Sequence, residues 1–568
     1  MPRTADYPAS KFIRFLSSYG PGTDNKGMFD ENVNRLSKKY AVEPFQLTVE
    51  YEQKIVDLLR NEAAVSVLVA GEAGDGKTHL LHRVWLILKG DEEIWEESEN
   101  PRLSIRLMDG RERNIVFVKD LTAWSSGSES LWKLIESAQQ DPLFSIIIAC
   151  NHGQILSQLK GNDSSRGCCE NLEEIFFQRE LNKKINHISV FDLSRTSQDK
   201  RLEEIIKNIV THEKWNVCVD ENCKFVDQCP IRRNLRLLWN NKQNIPTVTT
   251  KRLCELVKIA GMDGNHFPIR ELFLLVVNGI LGNKTKGNDK LGNCHVVKRI
   301  LEDKGGSDEN NINLFENIFG ENLTEGVRFE KRIFRRLAFF EIGKYSDPYF
   351  DNLIFGEINI PLSRDNKEYR DKCIQKQRRE KFFTWEGDFN REKKLWALSA
   401  YKHIPSYLSL VKGLEEWGGE DEPDSVICQG LNRVMTGSSL QQTEDQIRIA
   451  TNGANSKDPV GLYVVCAMDM KNKVRIKFVE EGSDSTPVLI FENGSGVRKI
   501  DLYPRRYEFL ACLASGCVPS AFSTQSQSEF YSLKSVLIND ELNCNYKNKA
   551  KRRRITFIDG ARVSFCVK

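Results

Sequence analysis

In VLVAGEAGDGKTHLLHRVW, residues 67–85, an apolar run ends in a glycine-rich loop that enters a helix-periodic segment through a lysine and a hydroxyl. Gly71, Gly74, Gly76, Lys77 and Thr78 satisfy G-x-x-x-x-G-K-[ST] in full. Such a loop turns its backbone N–H groups toward a phosphate and adds the positive end of a helix dipole. Its lysine meets the outer phosphates, and its hydroxyl holds Mg²⁺. Asp75 and His79 flank those positions and complete the expected cradle, which is built for ATP. A chance glycine turn is the bland alternative, and the apolar run before it with the amphipathic run after it argue against that.

A triphosphate site needs further parts. A carboxylate at the end of a neighbouring strand steadies the Mg²⁺ shell, and Asp120 closes NIVFVKD. Thr78 and Asp120 are therefore the expected Mg²⁺ residues. Leu121 stands where a water-orienting glutamate often follows, so either another acid such as Glu129 serves or turnover is slow. Asn151, closing FSIIIACN, is placed to reach the γ-phosphate and the lytic water. Arg270 in HFPIREL heads a helix and is a candidate to stabilise transferred charge. Arg179 in FFQRELNKK is a candidate to reach a neighbouring subunit, with Arg195 the weaker competitor. Each has an ordinary structural reading as a strand cap or a surface arginine.

His212, Cys218, Cys223 and Cys229 gather soft and borderline donors that suit structural zinc, although no C-x₂-C knuckle is present. Free cysteines in a helical insertion are the alternative. Three basic segments could meet phosphate backbones: Lys331, Arg332, Arg335 and Arg336 among phenylalanines; Arg378, Arg379 and Lys381; and the 547–554 run ending in Arg552, Arg553 and Arg554. The last is the best candidate for duplex DNA, because a charge run is otherwise a solvated face and interleaved phenylalanines are usually core. No spaced-acid nuclease cluster and no Ser-His-Asp or Cys-His arrangement stands out.

The elements that must position these residues follow from apolar periodicity. VSVLVAG, NIVFVKD, FSIIIACN and NHISVFDLSR are short apolar runs of strand type, and helix-periodic segments separate them. That alternation predicts an α/β fold with a parallel sheet covered on both faces, and the glycine loop between its first strand and helix makes the expected type a P-loop NTPase. The expected organisation is an irregular arm over 1–45, the α/β core over 46–196, and a helical lid with a cysteine-bearing insertion over 197–302. A mostly helical basic region over 313–425 and a β-rich domain over 426–568 follow, with 303–312 as the linker. A length of 568 residues exceeds a single core. Forty per cent hydrophobic and 28% charged residues describe a globular chain, and a net charge of +3 exerts no global pull on nucleic acid or membrane. Fifteen scattered cysteines suit a reducing cytoplasm better than a disulfide framework. No stretch approaches membrane-spanning length.

The order of strand, phosphate loop, aspartate strand, asparagine strand and helical lid with an arginine resembles the AAA+ ATPases, over about residues 45–300. That resemblance implies nucleotide held between protomers of a ring, with an arginine supplied in trans. GEAGDGKTHLLHRVW, IIACNHGQI, CPIRRN and FPIRELFLLVVNGILG together look more narrowly like ATPases of bacterial defence loci, of the DptF kind from DNA phosphorothioation-dependent restriction. The resemblance implies an ATP-hydrolysing motor or switch that works with partner subunits against invading DNA. The alternative is a slow nucleotide switch or scaffold whose β-rich tail recognises a protein and never touches DNA. The missing glutamate after Asp120 favours that alternative; the basic tail favours the first.

Overall fold

The structure, a computed structural model, describes residues 9–20, 30–48, 51–61, 65–124, 127–160, 165–178, 184–185, 188–220, 223, 225–282, 312–320, 322–323, 325–357, 367–387, 394–417, 420–421, 423–437, 446–452, 462–469, 473–479, 486–493, 496–518, 524–545, 553–558 and 562–567. The chain divides into two compact units. One comprises Met1–Gly261 with Asn265–Glu386; the other comprises Met262–Gly264, Gly387–Glu480 and Asp484–Lys568, and Glu481–Ser483 groups with the first.

The first unit is built on a six-stranded sheet: β1 (Ser66–Ala70), β2 (Arg102–Arg106), β3 (Glu112–Val118), β4 (Phe144–Cys150), β5 (Lys184–Ile185) and β6 (Ile188–Asp192), in the order β2-β3-β4-β1-β6-β5. The central pairs β3–β4, β4–β1 and β1–β6 are parallel, whereas both edges, β2–β3 and β5–β6, are antiparallel. The sheet is thus mixed rather than wholly parallel. The polar segment before β3 folds back as a hairpin partner instead of crossing over a face, which needs only a short turn.

Alternation along the strands feeds two cores. Val67, Val69, Ile115, Phe117, Ile147 and Ala149 face a cluster with Leu80, Leu81, Val84 and Trp85 of the helix Lys77–Ile87. Their neighbours Leu68, Val116, Val118, Ile146 and Ile148 face a second cluster with Leu131, Ile135, Ile155 and Leu172. Burial on both faces explains why these strands are continuous apolar runs.

The arm expected to be irregular over 1–45 is instead helical at Ser10–Leu16 and Asp30–Tyr40. Phe12, Ile13, Phe15 and Leu16 are all buried. Phe12 stacks on His212 at 4.5 Å and meets Trp215 edge-on at 4.9 Å, and Tyr19 stacks on Phe273 at 5.0 Å. Polar flanks and a Gly-Pro pair hide a short amphipathic stretch that becomes stable only by docking.

After β6, the helices Gln198–Val210, Pro230–Leu238, Val248–Met262 and Ile269–Leu281 follow, with a small hairpin of β7 (Trp239–Asn240) and β8 (Ile245–Pro246). The helical region expected over 313–425 is divided: its part up to Glu386 belongs to the same unit, and the rest belongs to the second. In the first part Arg379 makes a bidentate pair with Glu316 at 2.8 and 2.9 Å, both buried. Arg378 pairs in the same way with Asp351 at 2.7 Å. Phe334, Phe340, Phe382 and Phe383 are core. The basic-aromatic interleaving at these positions therefore serves packing and internal ion pairs. The linker expected at 303–312 falls outside the described residues apart from Ile312.

The second unit holds two antiparallel four-stranded sheets. One runs β14 (Gly496–Asp501), β13 (Thr486–Asn493), β12 (Val474–Val479), β9 (Glu420–Asp421); the other runs β10 (Gln446–Asn452), β11 (Leu462–Asp469), β15 (Arg553–Ile558), β16 (Arg562–Val567). Helices Ile404–Trp417, Ser425–Thr436, Pro504–Ala514 and Thr524–Asn545 contribute as much. Tyr407, Leu431, Met435, Leu510 and Phe530 from these helices share a core with Ile476, Leu489 and Phe491 from the strands. A Cβ on Gly430 would lie 2.4 Å from the Leu510 carbonyl oxygen, so the two helices cross at a contact only glycine permits. Strand alternation marks the sheets; nothing in it foreshadows the helices Ser425–Thr436 and Thr524–Asn545.

Candidate functional site

Parallel register brings the carboxyl ends of the central strands to one edge. Ala70 of β1 lies beside Cys150 of β4 and Asp192 of β6, and Val118 of β3 lies beside Ile148. Because β4 runs between β1 and β3, its exit residue Asn151 stands between the loop after β1 and the Asp120 turn. Crevices at such strand ends are the usual ligand sites of open α/β sheets.

The loop after β1 folds onto its own aspartate. Asp75 is buried; its Oδ2 accepts from the Glu72 N–H at 2.6 Å, and its Oδ1 meets His266 Nε2 at 2.6 Å. Gln198 fixes the tautomer of His266. Its Oε1 accepts from the Phe267 N–H at 3.2 Å, so its amide NH₂ faces His266 Nδ1 at 3.0 Å, and Nε2 carries the proton donated to Asp75. Gly74 takes φ +96°, and a Cβ there would lie 3.2 Å from Arg270 Cβ and 3.3 Å from Pro268 Cβ. Arg270 donates its backbone N–H to the Gly74 oxygen at 3.4 Å. The segment 266–270 thus braces the loop from outside, and Arg270, widely separated in sequence, arrives against it.

Lys77 begins the helix, and no side chain caps its first turn. The ammonium Nζ donates to the Gly71 and Glu72 oxygens at 3.2 and 2.8 Å and to Asn151 Oδ1 at 2.8 Å. Burial lowers its pKa, and the charges of Asp75, Cys150, Asp120 and Glu72 partly oppose that shift. A partly desolvated cation held by neutral oxygens gains strongly from an anion. Thr78 donates its hydroxyl proton to the Lys119 oxygen at 3.3 Å, which leaves the oxygen lone pairs available beside Asp120. Asp120 accepts the Thr122 N–H at 2.8 Å through Oδ1. A hydroxyl and one carboxylate fit Mg²⁺, which keeps several waters and takes few protein oxygens. His79 lies on the same first turn.

A cleft of about 320 Å³ opens beside the loop, between Gly71–Ala73 on one wall and Asn151–Gly153 on the other, and Arg332 lines it as well. Arg332 donates to Glu72 Oε2 at 2.8 Å and to the His266 oxygen at 3.2 Å. Behind Asn151, His152 Nε2 meets the buried Asp192 Oδ2 at 2.8 Å. Asp192 also accepts from the Ser194 N–H and hydroxyl and pairs with Arg195 at 3.1 Å. Burial pushes the Asp192 carboxyl up, but His152, Ser194 and Arg195 outweigh that and hold it at about 2. Arg195 is thereby committed to a buried pair.

Other expected residues are placed differently. Glu129 is 75% exposed and paired with Lys133 at 2.7 Å, and the residue after Asp120, Leu121, is buried. Arg179 lies outside the described residues, as does most of the 547–554 run; Arg553 and Arg554 begin β15. His212 is not gathered with the three cysteines into one ligand set: its Nδ1 accepts the Lys214 N–H at 3.2 Å and its ring stacks on Phe12. Cys218, Cys223 and Cys229 do lie near enough for charge on one to be felt by another. Sequence reasoning missed Glu72, His152, Asp192, Gln198 and His266, and assigned Arg332 to a nucleic-acid patch, whereas it lines this cleft. His152 follows Asn151 and His266 lies four residues before Arg270, which is the only signal they carry.

No protein-family model, no curated protein and no solved structure matches the chain. The first unit is accordingly defined by its own geometry: an α/β unit with a mixed, mostly parallel sheet and a glycine loop at its carboxyl edge. None of its helices, nor those of the second unit, is long and apolar enough among the described residues to cross a membrane.

Proposed function

We propose that the first unit binds a nucleoside triphosphate, ATP in the first instance, with Mg²⁺, and hydrolyses it. The observation that carries this reading is the Lys77 ammonium, braced between the loop oxygens of Gly71 and Glu72 and the Asn151 side chain of the neighbouring strand. On binding, Lys77 exchanges these neutral acceptors for outer-phosphate oxygens, and Asn151 Oδ1 is released to accept a hydrogen bond from water. Thr78 and Asp120 are the residues to hold Mg²⁺, which would neutralise charge on the outer phosphates. Arg270, against Gly74, and Arg332, at the cleft wall, are cations within the same constellation. The AAA+ resemblance extends the reading to an oligomeric motor or switch in a multi-subunit DNA restriction complex.

A slow switch is the second reading. Leu121 is buried, and Glu129 is exposed and paired with Lys133, so neither supplies a water-orienting acid beside Asp120. The deciding experiment is Mg²⁺-dependent ATP hydrolysis by the purified chain, with and without duplex DNA, at two salt concentrations. Stimulation that fades as salt rises supports the DNA-coupled motor. Slow turnover indifferent to DNA supports the switch. Lys77→Ala should lower turnover by about 10²–10³-fold; undiminished turnover would refute the site.

A further inference from the structure

In the second unit a buried glutamate, a histidine and a cysteine converge where one helix begins and another ends. Glu508 and Cys512 are one turn apart on the helix Pro504–Ala514, hence on one face. His403 immediately precedes the helix Ile404–Trp417. The Glu508 carboxylate accepts the Lys402 N–H through Oε1 at 2.9 Å and the His403 N–H through Oε2 at 2.8 Å. The Cys512 thiol donates to the same Oε1 at 3.4 Å. A ring nitrogen of His403, a carboxylate oxygen of Glu508 and the Cys512 sulfur all lie within 4.8 Å of one another, and no other three such donors do so among the described residues.

We propose that His403, Glu508 and Cys512 form a binding site for a divalent cation of the zinc class. Three features of the geometry support it. The nitrogen, oxygen and sulfur donors match the ligand set of tetrahedral Zn²⁺. The 3.4 Å between Cys512 Sγ and Glu508 Oε1 is close to the roughly 3.5 Å edge of a tetrahedron with Zn–S near 2.3 Å and Zn–O near 2.0 Å. The contact is also already bridged by a proton. Metal entry breaks the S–H bond, forms an S–metal bond and sends that proton to solvent, so the cation takes the place of the shared proton between sulfur and oxygen.

Charge balance points the same way. One dication with one thiolate, one carboxylate and a neutral imidazole is neutral, so occupation does not bury net charge. Cys517 is not among the converging donors, so a water is the fourth ligand the site calls for.

The test is a Co²⁺ titration of the full chain after chelator treatment, read by absorbance and followed by Zn²⁺ displacement. A single equivalent should bind with tetrahedral ligand-field bands and a thiolate-to-cobalt charge-transfer band, which Zn²⁺ abolishes. His403→Gln and Cys512→Ser should each lose the band or weaken Co²⁺ binding by about tenfold or more. Cys229→Ser should retain it. Because a half-buried histidine at a helix start tolerates an amide, His403→Gln gives a reading even where Cys512→Ser fails to fold. Absence of the band in the wild-type chain, full retention in folded His403→Gln protein, or loss in Cys229→Ser would overturn the assignment.

Discussion

Asp192 and Glu508 are buried to similar depth, 3% and 5% exposed, and each has a histidine beside it, yet they are held in opposite states. Arg195 and His152 reach the first through side-chain nitrogens, so its carboxyl is held at about 2. The second meets only backbone N–H groups and a thiol at hydrogen-bond distance, and burial prevails, up to about 7. Depth of burial does not decide whether a carboxylate stays charged; the charge of what it faces does. The first is a finished ion cluster that stiffens one wall behind the cleft. The second has room in its electrostatics for a cation.

Asp192→Asn strikes this contrast hardest. It strands Arg195 in a largely buried position and should cost the first unit about 3 kcal/mol in denaturant unfolding. A loss under about 1 kcal/mol would mean the cluster is not a stabilising pair.

Acid should show the same group titrating. The folded pKa of Asp192 is depressed, so its stabilisation is complete above the ordinary carboxylate value and is lost as pH falls through about 2. Across that window the contribution is about 2 kcal/mol, and the difference between wild type and Asp192→Asn should shrink accordingly. An unchanged difference would assign the shift elsewhere.

Glu72–Arg332 is an intermediate case, 42% and 38% exposed and at the cleft itself. An exposed pair stabilises by about 1 kcal/mol at most, so Arg332→Ala should leave unfolding nearly unchanged. If the arginine meets the outer phosphate, the variant should bind ATP about tenfold more weakly while ADP affinity holds. Equal losses for both nucleotides would confine Arg332 to bracing the loop, and binding of neither by wild type would remove the nucleotide reading altogether.

The smallest effect is expected at Glu508→Gln in metal-free protein. The amide oxygen retains an acceptor for one of the two backbone N–H groups, so the cost should be about 1 kcal/mol. Added Zn²⁺ should raise the melting temperature of wild type and not of this variant.

Much of the first sheet was legible because strands buried on both faces write themselves as apolar runs: SVLVA, NIVFV, FSIIIAC and ISVF are each read without reference to anything distant. The glycine loop was legible for a similar reason, since positive φ at Gly74 and Gly76 is a local demand that few residues meet. The antiparallel edges, the docked N-terminal helix and two helices of the second unit were not. Each depends on a partner that supplies the missing face, and a short amphipathic stretch has no preference strong enough to declare itself alone.

Sequence alone determined the glycine-loop pattern and the succession of strands along the chain that carry it, because those properties depend on residue type and local period. Only tertiary structure decided that Lys77 would meet Asn151, that His266 would lock Asp75, and that Arg332 would face Glu72. It also decided that His212 would stack on Phe12 while His403 stood with Glu508 and Cys512. The reason is the same throughout: a hydrogen bond or ion pair between distant residues is fixed by which helices and strands pack, and packing is settled by the whole set of apolar faces at once.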